Sequence, residues 1–169
     1  LLLSGGCAGG AGEVPRPAVE HVVVVSIDGL RPDFYLGGWE APVLHEIAAS
    51  GARARRVEGV YPSTTYPSHA TIVTGVSPAR HGIHANTIWS DETGTTRDWH
   101  WFARDLKART LWDAAREAGK TVAITYWPVS VGARAAWVLG EIWDPDGKDT
   151  VKRLVQAATP GLLLDLTLS

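Results

Sequence analysis

The most apolar stretch of the chain, His21-Val22-Val23-Val24-Val25-Ser26-Ile27, holds four consecutive valines. A continuous β-branched run of this length predicts a strand buried on both faces, as in a parallel sheet. Asp28-Gly29 closes it with a turn signal. Over 41–50, Val43, Leu44, Ile47 and Ala48 fall at helical spacing, and Gly51 is a fitting stop. The segment 52–60 is a weaker strand candidate. Pro67 follows a hydroxyl-rich turn and precedes Ala70-Thr71-Ile72-Val73-Thr74-Gly75. Proline at a first helical position and glycine after a last turn predict a helix beginning at Pro67. Another helix is expected over 109–119, with Leu111, Trp112 and Ala115 on one face and Gly119 as its stop. A second buried strand is expected over 121–126, a helix over 149–158 and a third strand over 162–166. The segment 86–104 reads as a long polar connection containing tryptophan, and no internal repeat is present.

Strands alternating with helices imply an α/β domain with a mostly parallel sheet flanked by helices. Such sheets gather their sites beyond the carboxyl ends of the strands. Asp28 stands at such an end, where a carboxylate can hold a metal or simply make a turn.

Composition narrows the classes. Among the 169 residues, 16 Lys and Arg against 18 Asp and Glu leave a net charge of −2, so there is no basic footprint for nucleic acid. A hydrophobic fraction of 45% with 20% charged residues excludes a disordered chain. The single cysteine excludes an intrachain disulfide and a cysteine-rich zinc site. Eight tryptophans suggest a tightly packed or aromatic-lined structure.

The densest candidate chemistry lies in Tyr61-Pro62-Ser63-Thr64-Thr65-Tyr66-Pro67-Ser68-His69. Hydroxyls here can cap a helix, the commoner role. A hydroxyl at a helix N-terminus also faces unpaired N–H groups and the positive end of the dipole, which favour an alkoxide and an anionic substrate. An alcohol still needs a base or a metal ion to attack at neutral pH. Spacing alone leaves Ser63, Thr64, Thr65 and Ser68 equally eligible. His69, His81 and His84 are either metal ligands or, more commonly, imidazoles bonded to backbone. Asn86 can donate to a phosphate oxygen or complete a turn. No P-loop, dinucleotide fingerprint, G-x-S-x-G elbow or H-E-x-x-H motif is present.

Four segments occur in order: Val24-Val25-Ser26-Ile27-Asp28-Gly29-Leu30-Arg31, Tyr61-Pro62-Ser63-Thr64-Thr65-Tyr66-Pro67-Ser68-His69, Thr71-Ile72-Val73-Thr74-Gly75 and His81-Gly82-Ile83-His84-Ala85-Asn86. The set resembles the nucleotide pyrophosphatase/phosphodiesterase family of the alkaline phosphatase superfamily, and Tyr126-Trp127-Pro128-Val129-Ser130 is similar to a segment of bacterial members. The resemblance implies an alkaline-phosphatase-like fold and two zinc ions. It makes Thr65 the nucleophile, Asp28 and Thr65 ligands of one zinc, and Asn86 the donor to the phosphoryl oxygen. Further ligands would lie past Ser169, so the chain reads as an N-terminal part of the catalytic domain, 20–169, inactive by itself. Expected substrates are small phosphate esters, diesters or pyrophosphates of nucleotide type. A phosphomonoesterase of the same superfamily is the near alternative, although Gly132-Ala133-Arg134 lacks the Lys of a Lys-x-Arg grip. A sulfatase needs Cys or Ser where Thr65 stands. A non-catalytic phosphate- or nucleotide-binding relative is the alternative from another class.

Residues 1–19 read as a leader. Leu1-Leu2-Leu3-Ser4-Gly5-Gly6-Cys7 resembles the end of a bacterial signal peptide, with Ser4 where a lipoprotein motif normally has Leu. Export to the periplasm or outer surface follows as an expectation, with Cys7 as the candidate lipid attachment. With no methionine and a leucine at its start, the sequence reads as a processed chain or a piece.

Overall fold

The structure, a computed structural model, describes residues 20–37, 40–92 and 98–163. The leader with Cys7 and the end of the expected third strand lie outside them. The chain divides into two units, Leu1–Ala49 and Ser50–Ser169.

In the first unit the expected strand is absent. Residues 20–27 join no ladder, and Val22, Val23 and Val25 are each more than 70% exposed. A strand forms where at least one neighbour exchanges ladder hydrogen bonds with its N–H and C=O groups. The described residues of this unit supply none. The turn at Asp28-Gly29 does form, and Gly29 takes φ +69°, a backbone region closed to most side chains. Helix α1, Pro32–Leu36, starts on proline and carries an exposed Arg31–Asp33 ion pair. Helix α2, Pro42–Ser50, matches the predicted helix closely, with none of its residues fully buried.

In the second unit, residues 52–59 are exposed and form no strand, contrary to the weaker expectation. Helix α3, Thr65–Thr74, begins two residues before the proline that predicted its start. It ends at Gly75, whose left-handed φ of 67° lets its N–H close on the Thr71 carbonyl at 2.8 Å. Helix α4 is Pro78–His81 and helix α5 is Leu111–Glu117. Thr110 and Asp113 form a reciprocal capping box that fixes where α5 starts. Trp112 is buried as expected, but Leu111 is 54% exposed, so the predicted apolar face is narrower. Helix α6 is Thr150–Ala157. At the end of the described chain, residues 162–163 lie in a helical turn rather than a strand.

Two strands pair in parallel, β1 (Ala123–Thr125) with β2 (Trp137–Leu139), placing Ile124 against Val138. The core is built around α3. Tyr66 and Ala70 pack with Ile83, Trp101, Val129 and Val131, while Val73 packs with Trp112, Ile124 and Val138. Positions 66, 70 and 73 share one helical face, so a single helix joins the two clusters. Trp99, Trp101 and Trp143 extend the first cluster through ring contacts of 4.3 to 5.7 Å. Trp99 and Trp101, from the segment expected to be a polar connection, therefore join the core. Among the described residues no helix is long and apolar enough to cross a membrane.

His81 is fully buried. Its Nδ1 accepts the Ile83 N–H at 3.2 Å, so the ring proton sits on Nε2, 3.0 Å from the Thr71 hydroxyl. Burial foremost, then the charge of His84, lowers its pKa, against a smaller upward pull from the Pro67 backbone. The unfolded imidazole, with a pKa of about 6.5, then binds a proton more readily than the folded one. Stability from this group is complete above that pH and declines as pH falls toward the lowered folded value. We expect urea midpoints to drop between pH 7.5 and pH 5.5. The drop should shrink in His81→Gln, which keeps a donor at the ε position without titrating. An equal drop in both proteins would assign the acid sensitivity elsewhere.

Candidate active site

The N-terminus of α3 is assembled without a local side-chain cap. Thr64 occupies the cap position with extended dihedrals, φ −82° and ψ 165°, and its side chain makes no capping bond. A helix leaves its first four N–H groups without ladder partners. At position 67 proline has no N–H to satisfy, and the Ser68 N–H reaches the Thr64 carbonyl at 3.1 Å. The Tyr66 N–H is taken from a distance: it donates to Oδ1 of Asn86 at 2.9 Å, twenty residues along the chain. Asn86 thus closes the first turn of α3, which allows the helix to start at Thr65 instead of Pro67.

The structure therefore brings together Thr65 and Asn86, two of the residues the sequence singled out. Thr65 is half-buried at the first position of α3, and Asn86 is half-buried beside it. The bond to Tyr66 also orients the amide. With Oδ1 engaged by an N–H, the NH2 edge is the one left to meet an incoming oxygen anion. Asp28 lies in the first unit, exposed, in its turn.

The three clustered histidines separate. His81 is a core residue and His84 is exposed. His69 is buried on α3, its Nδ1 2.8 Å from the Thr65 carbonyl oxygen and its ring edge-on to Trp127 at 5.3 Å. The sequence alone favours a backbone-bonded histidine here, and the structure adds which carbonyl it meets. The missed signal was the spacing of four, which on a helix sets His69 one turn from Thr65. Among the described residues no group of three His, Cys, Asp or Glu could hold a metal.

Trp127 follows β1, so the loop at the carboxyl end of that strand packs beside the start of α3, where such folds collect their sites. Two non-glycine residues of that loop, Tyr126 and Val129, hold positive φ values of 50° and 59°. For a β-branched residue such as Val129 this conformation is strained, and the fully buried side chain holds it there. Tyr66 is fully buried, and its phenol is pushed up by burial first and by the charge of Glu141 second. It stays neutral and serves the core. A cavity of about 420 Å³ lined by Arg116, Lys120, Val122 and Arg134 opens at the amino ends of the strands instead, away from Thr65 and Asn86.

The likeness to solved structures places the chain among alkaline-phosphatase-like α/β folds. An inactive threonine-to-alanine form of murine ectonucleotide pyrophosphatase/phosphodiesterase 5, in complex with AMP, aligns with a TM-score of 0.53 and 29% identity, over 65% of this chain and 30% of that one. The family described as type I phosphodiesterase/nucleotide pyrophosphatase matches residues 22–160, and the chain belongs to it. Venom phosphodiesterase 2 of Crotalus adamanteus is 30% identical over 119 residues, 64% of this chain and 14% of that protein. Human ectonucleotide pyrophosphatase/phosphodiesterase family member 5 is 33% identical over 118 residues, 67% of this chain and 24% of that protein. Bis(5'-adenosyl)-triphosphatase ENPP4 of Bos taurus is 36% identical over 96 residues, 55% of this chain and 20% of that protein. The chain thus spans between 14% and 24% of the length of these curated relatives.

Proposed function

We propose that this chain carries the nucleophile of a metal-dependent hydrolase that cleaves phosphodiester or pyrophosphate bonds of nucleotide-type substrates through a phospho-threonine at Thr65. The observation that carries the reading is the 2.9 Å bond from the Tyr66 N–H to Asn86, which sets a side-chain amide beside a helix-opening threonine. The names of the relatives support the substrate class: a venom phosphodiesterase and a bis(5'-adenosyl)-triphosphatase. The murine relative is inactive as a threonine-to-alanine form and holds AMP.

In this reading the Thr65 oxygen attacks phosphorus in line, and the bond to the leaving oxygen breaks as the threonine ester forms. Water then cleaves that ester and regenerates the hydroxyl. The Asn86 NH2 donates to a non-bridging oxygen as negative charge grows there. The N-terminus of α3, ten residues long, adds the positive end of its dipole.

Asp28 in the first unit and Thr65 in the second each carry an oxygen donor, and we propose each as a zinc ligand. They are a partial set, and the other ligands would come from outside the described residues. Bound zinc would supply the positive charge that makes a threonine alkoxide accessible at neutral pH.

The test uses the protein at its full natural length, loaded with zinc. We expect kcat/KM for bis-p-nitrophenyl phosphate to exceed that for p-nitrophenyl phosphate, with activity lost to a chelator and restored by zinc. A monoester preference would move the protein to the phosphatase branch with the same nucleophile. Turnover of neither ester would leave a binding protein.

A further inference from the structure

One peptide plane at the site is held at both ends. The bond between Thr65 and Tyr66 has its N–H on Asn86 Oδ1 at 2.9 Å and its C=O 2.8 Å from His69 Nδ1. A carbonyl only accepts, so the His69 proton resides on Nδ1 and is donated. The ladder of α3 already directs the residue-69 N–H to that same carbonyl. The imidazole bond is therefore additional to what the helix needs. It is made by a side chain only 8% exposed, with Trp127 from the loop after β1 fixing the ring edge-on. Because the peptide plane sets ψ of Thr65, it sets the direction in which that residue presents its side chain.

We propose that His69 is a positioning residue. Its Nδ1–H, acting with Asn86, clamps the Thr65–Tyr66 peptide and thereby aims the Thr65 hydroxyl along the line of attack. The inference rests on Thr65 being the nucleophile. Its signature is a loss in kcat with little change in KM, because substrate still docks while the attacking oxygen is misaimed.

Asparagine can place an N–H where His69 has Nδ1, whereas glutamine places one only at the ε position. In the zinc-loaded full-length protein we expect His69→Gln to lower kcat by about 30-fold, in line with the cost of misplacing a reacting atom by a fraction of an ångström to an ångström. KM should stay within about threefold, and His69→Asn should recover kcat to within about fivefold of the parent. Equal losses in both variants, or no loss in His69→Gln, would overturn the clamp. Thr65→Ala is run alongside. If it keeps activity, the nucleophile assignment falls and the clamp with it; if it is dead while both His69 variants match the parent, only the clamp falls. Should His69→Gln fail to fold, 15N NMR of the parent protein decides. The protonated nitrogen of His69 must be Nδ1, and a neutral ring protonated at Nε2 would overturn the proposal.

Discussion

Replacing Thr65 by alanine is expected to reduce turnover of bis-p-nitrophenyl phosphate by at least ~10³-fold, since a covalent route loses its attacking atom and the helix N-terminus and Asn86 retain only binding. The loss should sit almost wholly in kcat. No phosphate should become attached to the variant protein under conditions that trap it on the parent. Folding should be untouched or slightly improved, for three reasons. Thr65 is only half-buried, the cap position belongs to Thr64, and alanine is a better helix former than threonine. Binding of a nucleotide monophosphate product should survive. Thr65→Ser, which restores a hydroxyl at the same carbon, should recover a measurable part of the rate. Activity of the alanine variant within tenfold of the parent would transfer the nucleophile to another group, with Ser63, Thr64 and Ser68 the neighbours to test next.

The distance between what the sequence permits and what the structure adds is clearest around that threonine. Hydroxyl-rich turn, helix and glycine stop are all legible from residues 61–75, because capping and termination depend on neighbours a few residues apart. The true start of α3 was not legible. It depends on Asn86 reaching the Tyr66 N–H from twenty residues away, and local rules place the start at Pro67 instead. The same limit explains β2, which was missed: Trp137, Val138 and Leu139 are too few to show a period, and only pairing with β1 defines them. The reverse error is 21–27, where the apolar run is unmistakable but the residues join no ladder. In 86–104, polar neighbours masked Trp99 and Trp101, whose burial comes from each other and from Tyr66 and Trp143.

In the proposed mechanism Asn86 has two duties on opposite edges of one amide, and substitutions can separate them. Asn86→Asp keeps an oxygen for the Tyr66 N–H and adds a negative charge at a helix N-terminus, where the dipole favours it. Its stability should match or exceed the parent's. The same change removes the NH2 donor and sets an anion where the anionic substrate must sit. Loss of one donor to a developing oxyanion costs ~10²–10³-fold in kcat, and repulsion should push this variant to the upper end or beyond. Asn86→Ala loses both duties at once. It should fall ~10²–10³-fold in rate and about 1 kcal/mol in stability, because the Tyr66 N–H loses its partner at a half-buried site. The two variants should therefore cross: the aspartate more stable yet less active, the alanine less stable yet no worse in rate. Urea unfolding and steady-state kinetics on the same preparations read both axes. An aspartate variant that kept the parent's rate would remove Asn86 from contact with the phosphoryl group and leave it a helix cap alone.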